Sequence, residues 1–168
     1  MNCRLNILFS IVFSVFTFTF LAQNYCPEKR LLLEKYKAGD YIQSKAYIDT
    51  VLLRCPDQKD NAYFWHISAF INFNIFQKVD NKSPISKARK EAVSAVLKSI
   101  ELDKDDQYLQ HNHQVINVLA NGFYNHYVGF LDTINYEKAV EFYQEYKALK
   151  LIVNPDEDLS QYEIQYHH

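Results

Sequence analysis

Apolar residues recur at the helix period in three stretches of this chain. Ile48, Val51 and Leu52, then Val96, Ser99 and Ile100, then Tyr143, Tyr146 and Lys147 stand three and four residues apart, and only the final Lys leaves the pattern. That spacing places one buried stripe on each of three helices. Each stripe follows a short segment ending in a small residue: Asp40-Tyr41-Ile42-Gln43-Ser44, Ala88-Arg89-Lys90-Glu91-Ala92 and Asn135-Tyr136-Glu137-Lys138-Ala139. Ser44, Ala92 and Ala139 lie 48 and 47 positions apart. A fixed interval of this kind marks a repeated structural unit, and the pattern predicts three helical hairpins whose second helices carry the stripes.

Between the first two stripes, Ala62 to Phe76 holds 11 apolar residues in 15. Ile71-Asn72-Phe73-Asn74-Ile75 alternates like a strand, but the whole run exceeds an ordinary strand and predicts a buried central helix. Punctuation residues supply the boundaries. Gly39 suits the left-handed stop of a first helix, and Ser83-Pro84 offers a cap followed by proline at the first helical position. Asn154-Pro155 repeats that device. Asp156, Glu157 and Asp158 then sit where a helix N-terminus favours negative charge, which predicts a last helix through about His167 that covers the end of the stack. Asn121-Gly122 is a candidate break in the long helix before the third stripe.

Several of these segments resemble the tetratricopeptide repeat. Tyr36-Lys37-Ala38-Gly39-Asp40-Tyr41 matches that repeat's turn, and Cys55-Pro56-Asp57-Gln58 matches its closing segment. Ile100-Glu101-Leu102-Asp103-Lys104 is similar to the same ending without its proline, and Asn154-Pro155 arrives a turn late in the third unit. The interval is longer than the family's roughly 34 residues. Where the family prefers a small residue in the first helix, this chain has Leu32, His66 and Gln114. The resemblance covers about Glu28 to Pro155. It implies an all-α, right-handed solenoid of about three hairpins with a C-terminal capping helix, occupying residues 24–168. It also implies a groove lined by the first helices, at Tyr36, Tyr63, Ile67, Ile71, Tyr108, His111 and Val115, which would hold a segment of another protein.

Composition agrees with the class. Three glycines and four prolines in 168 residues are too few for an all-β chain with frequent turns. A formal charge of −2, without a dense basic stretch, argues against nucleic acid as a partner. The 13 tyrosines and 12 phenylalanines suit either a helical core or a binding groove.

The beginning of the chain has a different character. No charge occurs from Leu5 to Ala22, and the apolar run follows Arg4. Residues 1–23 therefore predict a secretory signal cut near Ala22 or Gln23, with an uncleaved membrane anchor as the alternative. Either places the remainder outside the cytoplasm, periplasmic or secreted. Cys3 would leave with the signal, so Cys26 and Cys55 remain in a compartment that permits disulfides. In an antiparallel hairpin they lie at the same end, which makes a bridge the expectation and two free thiols the alternative.

Catalytic signatures are missing. His111 and His113 stand two apart, about 200° around a helix, and cannot chelate one metal together. No Gly-x-Ser-x-Gly elbow or glycine-rich phosphate loop is present. Asp103, Asp105 and Asp106 suit helix capping better than acid-base chemistry. The expectation is an exported scaffold without enzymatic activity, cofactor or metal, whose partner is another exported or envelope protein. A small-ligand protein or enzyme with a site between helices is the alternative, and self-association through an aromatic patch a third.

Overall fold

The computed structural model describes residues 26–162, so the predicted signal at 1–23 lies outside the described residues. Among them every regular element is helical: α1 (Pro27–Lys37), α2 (Tyr41–Arg54), α3 (Ala62–Lys78), α4 (Lys87–Leu102), α5 (Leu109–Asp132) and α6 (Tyr136–Val153), with 3-10 turns at Pro56–Asp60 and Ser160–Tyr162. The alternating segment at Ile71 to Ile75 is part of α3, and the central-helix expectation holds.

Consecutive helices pair as α1 with α2, α3 with α4 and α5 with α6, while α2–α3 and α4–α5 contacts join the pairs. The pairs are antiparallel. Cys26 before α1 meets Cys55 after α2, and the Ser99 hydroxyl near the end of α4 donates to the Ala62 carbonyl at the start of α3. In the third pair, Tyr127 contacts Tyr143 and Tyr124 contacts Tyr146, so the ring pairs step in opposite directions along the two helices. The small residues of the three segments share one environment: Ser44, Ala92 and Ala139 are all 0% exposed, each on the buried face of the second helix of its pair. Around them Leu32, Val51, Phe64, Ile71, Phe76, Val96, Ile116 and Leu119 form one continuous core.

Side-chain caps fix the helix starts. Asp40, Asn61, Ser86 and Asn135 accept from the backbone N–H three residues on, each worth about 1 kcal/mol. Ser86 replaces the expected Ser83-Pro84 start. Ser83 to Pro84 instead belongs to the turn that follows two left-handed residues, Asn81 and Lys82, and the Pro84 carbonyl accepts from the Arg89 guanidinium. Asn121-Gly122 does not interrupt α5, which runs unbroken for 24 residues. Packing on α6 and α3 outweighs the cost of one helical glycine, about 1 kcal/mol.

The predicted terminal helix is also corrected. After Val153 the chain runs irregularly to the short Ser160–Tyr162 turn, and residues beyond 162 lie outside the described region. The Tyr143 hydroxyl donates to the Leu159 carbonyl and the Tyr127 hydroxyl to the Tyr162 carbonyl. Leu159 is buried and Glu157 pairs with Lys150. The segment thus covers the third hairpin as an irregular strap, its backbone held by side chains of the helices beneath.

The α1–α2 and α5–α6 connections share one geometry. Asp40 N–H bonds the Lys35 carbonyl and Gly39 N–H the Tyr36 carbonyl; Asn135 N–H bonds the Phe130 carbonyl and Ile134 N–H the Leu131 carbonyl. This is the Schellman closure, which needs a left-handed residue after the cap. Gly39 meets that need at φ 75°, whereas Ile134 is forced to φ 58°. A β-branched residue there is strained by about 1–2 kcal/mol, and Ile134 is 72% exposed, so it recovers little by burial. Ile134→Gly is expected to raise stability by about 1 kcal/mol, measured by urea unfolding, after allowance for the greater freedom of glycine in the unfolded chain.

Candidate functional site

The seven groove positions do not share one surface. Ile67, Ile71 and Val115 are 6%, 0% and 3% exposed and belong to the core; a partner in the groove cannot touch them. The cause is helical geometry. Residues four apart advance about 400°, so a four-residue series rotates about 40° per step. Tyr63 is 36% exposed, and its successors at 67 and 71 turn progressively into the core between α3 and its neighbours. Val115 turns inward from His111 in the same way on α5.

The remaining positions are brought together. Tyr63 and Tyr108 have ring centroids 5.7 Å apart, and Tyr108 stacks on His66 at 4.8 Å. His66 in turn touches Phe70 at 4.9 Å and His111 at 6.1 Å. On the other side the Lys29 ammonium lies 5.9 Å from the Tyr63 centroid and donates to Gln58 Oε1 at 2.6 Å. Burial holds the Lys29 pKa below its ordinary value, with Asp57 opposing. Tyr36 contacts Tyr41 at 6.2 Å. Burial raises its phenol pKa, helped by the neighbouring Tyr41 and Tyr63. A half-exposed aromatic ladder therefore runs from α1 across the start of α3 to the start of α5.

Buried polar groups hold this ladder in place. Asn112 is 0% exposed; its Nδ2 donates to the Ser99 hydroxyl at 3.0 Å, and Ser99 donates onward to the Ala62 carbonyl. Asn112 Oδ1 is 2.8 Å from His66 Nδ1, and since a carbonyl oxygen only accepts, that nitrogen carries the proton. Burial lowers the His66 pKa, partly offset by this hydrogen bond. Asp103 accepts from Gln107 N–H and Tyr108 N–H, which sets the entry of α5 and so the position of the Tyr108 ring. Asp103 therefore organises the turn before α5 and does not cap the helix itself, whose N-cap residue is Tyr108 without a side-chain cap bond. In the His111-Asn112-His113 segment the structural residue is the asparagine between the two histidines.

A second centre lies between α3, α4, α5 and α6. Arg89 is 0% exposed, and its guanidinium carbon lies 4.0 Å from the ring centroid of Phe123, 5.0 Å from Phe142 and 5.4 Å from Phe76. One terminal nitrogen donates to the Pro84 carbonyl at 2.6 Å and the other meets His126 Nδ1 at 3.0 Å, while Nε has no hydrogen-bond partner among the described residues. Burial pulls its pKa down to about 10, with Glu145 and Glu141 opposing. The cation persists at neutral pH, shielded by π-faces. Burial, and next the Arg89 charge, lower the His126 pKa, so neutral His126 can accept from the guanidinium. The signal for Arg89 was in the sequence: it stands three before Ala92 and seven before Val96, on the buried stripe.

Cys26 and Cys55 form a disulfide, with Cα atoms 6.0 Å apart. Glu28 lies beside the two sulfurs, but the sulfurs are bonded to each other and offer no thiolate ligands, and Glu28 pairs with Arg54. Among the described residues no helix is long and apolar enough to cross a membrane. No protein-family model matches the chain, and comparisons with curated proteins and with solved structures find no significant match.

Proposed function

We propose that the protein is an exported scaffold of the tetratricopeptide-like kind, a right-handed stack of three hairpins that holds a segment of another exported or envelope protein against its first helices. The observation that carries this reading is the aromatic ladder of Tyr36, Tyr63, His66, Tyr108 and His111. Tyrosine gives a large contact area at low entropic cost, and a phenol can accept or donate to a peptide backbone. Rigid support from Asn112 and Asp103 lowers the ordering cost of binding. Two lysines border the ladder, Lys29 at Tyr63 and Lys78 at the Tyr41 ring beside Tyr36, and among the described residues no arginine joins them to form a clamp, which suits a segment with apolar anchors better than a strongly acidic tail.

Truncation of Tyr63 or Tyr108 to Ala tests it. Capture of the partner by crosslinking in the native envelope is expected to weaken by about fivefold or more, because interface tyrosines carry over 1 kcal/mol each, while the melting temperature shifts little. A large melting drop for both variants, the mark of core aromatics that cost about 3–5 kcal/mol, would overturn the assignment of the ladder as a binding surface.

A further inference from the structure

The two sulfurs of the Cys26–Cys55 bridge stand in unlike surroundings. Cys26 is half-buried and lines an open cleft of about 420 Å³ along one face of α1, together with Lys29, Arg30, Leu33 and Gln58. Cys55 is 7% exposed, belongs to the core cluster and does not line that cleft. A thiolate has to reach the sulfur that it attacks, so burial of Cys55 leaves Cys26 as the point of entry. The 11 residues of α1 bury one side chain, Leu32, and the sulfur at the head of this helix can therefore part from Cys55 without dismantling the core.

Polar neighbours sort the products in the same sense. Cys26 is the N-cap of α1, and its Sγ accepts from the Lys29 N–H at 3.4 Å, a contact that does not need the bridge. On the other side, Glu28 Oε2 lies 3.9 Å from Cys55 Sγ, while the Arg54 guanidinium binds Oε1 at 2.9 Å. The backbone N–H of Glu28 and then Arg54 hold this carboxyl below its ordinary pKa, so it is an ionised acceptor. The closed bridge has no S–H to donate to it. When the bridge opens, a Cys55 S–H finds its acceptor in place, which favours the thiol over the thiolate and slows its return attack on Cys26.

We propose that Cys26 is a thiolation site for low-molecular-weight thiols, entered from this cleft. The thiolate attacks Cys26 Sγ, the Cys26–Cys55 bond breaks as the new S–S bond forms, and Cys55 leaves as a thiolate that takes a proton from water and donates a hydrogen bond to Glu28 Oε2. The incoming sulfur is oxidised to the mixed disulfide and Cys55 is reduced, so no other oxidant takes part. This chemistry stands whether or not the aromatic ladder holds a partner.

Reduced glutathione is the probe. The folded, oxidised protein is incubated with it, quenched with iodoacetamide and mapped by mass spectrometry. Glutathione on Cys26 with the alkyl group on Cys55 is expected in about tenfold excess over the reverse arrangement, because access to the sulfur governs the exchange. Glu28→Ala is expected to lower the yield of the Cys26 adduct several-fold, since the opened state loses the acceptor of the Cys55 S–H; Arg54→Ala removes the ion pair but keeps Oε2, and should change the yield far less. The unsubstituted protein decides the site even if a variant does not fold. Equal or greater addition at Cys55 would overturn the proposal, as would a protein that reacts only after unfolding in urea, the behaviour of a sealed structural clip. An equal fall in yield for both variants, or in neither, would overturn the role given to Glu28.

Discussion

Arg89→Ala is expected to lower stability by about 3–5 kcal/mol, the range of large core truncations, with a matching fall in the urea midpoint. The substitution removes the side chain that fills the space among Phe76, Phe123 and Phe142 and leaves the Pro84 carbonyl without its donor. Charge and packing are separable here. Arg89→Met keeps the volume and removes a buried cation that has no carboxylate at hydrogen-bonding distance among the described residues, so it is expected to cost far less than the alanine variant, within about 1.5 kcal/mol of the parent. A loss as large for Met as for Ala would mean that the cation–π contacts themselves dominate. The neighbouring histidine adds a pH signature of known sign. The His126 pKa is depressed on folding, so the unfolded chain takes up its proton first. Stability is then fully present above the unfolded pKa of about 6.5 and is lost as pH falls from there through the lower folded value.

Removing the disulfide is the other large change. Cys26 and Cys55 are separated by 29 residues, and opening a loop of that size is expected to cost about 3.5 kcal/mol on the chain-entropy model. Against a typical total of about 5–15 kcal/mol, the fold survives but its first hairpin suffers most. The 11 residues of α1 include just one buried side chain, Leu32, and an isolated helix of that length is marginal in water. In the Cys26→Ser, Cys55→Ser variant, amide exchange is expected to lose protection first in α1, with α3 and α4 little changed. Uniform loss of protection across all six helices would show that α1 is not the weak element. Because Lys29 and Tyr36 stand on α1, the same variant should lose one end of the aromatic ladder.

What was legible in the sequence follows from what periodicity encodes. The three small residues marked the buried faces of their helices, and Gly39 announced its turn because a left-handed stop is a local requirement. The cysteine pair followed from hairpin geometry. Rotation of α3 and α5 about their own axes was not legible, since a helix packed on more than one side has no single polar face to set it; hence Ile67, Ile71 and Val115 were placed in a groove and lie in the core. Arg89 and Asn112 were passed over for a related reason. The stripe position of Arg89 could be read, but the groups that compensate each buried side chain lie far away in sequence, Phe123 and Phe142 for the first, His66 and Ser99 for the second. The end of the chain misled because Asn154-Pro155 and three acidic residues are good local helix starters, while the hydroxyls of Tyr127 and Tyr143 capture the backbone instead.

The order of helix packing has a kinetic consequence. Each helix finds its main contacts with an adjacent helix in sequence, so the contacts that form the core close short loops and lose little chain entropy before they gain burial. Folding is then fast and can proceed hairpin by hairpin from whichever pair forms first. A chain delivered from its first residue onward can complete its first hairpin before the third has arrived, and Cys26 and Cys55 both belong to that first pair. Oxidation can therefore seal the leading end while the trailing end is still unfolded, and the strap after Val153 closes last, over a stack already built.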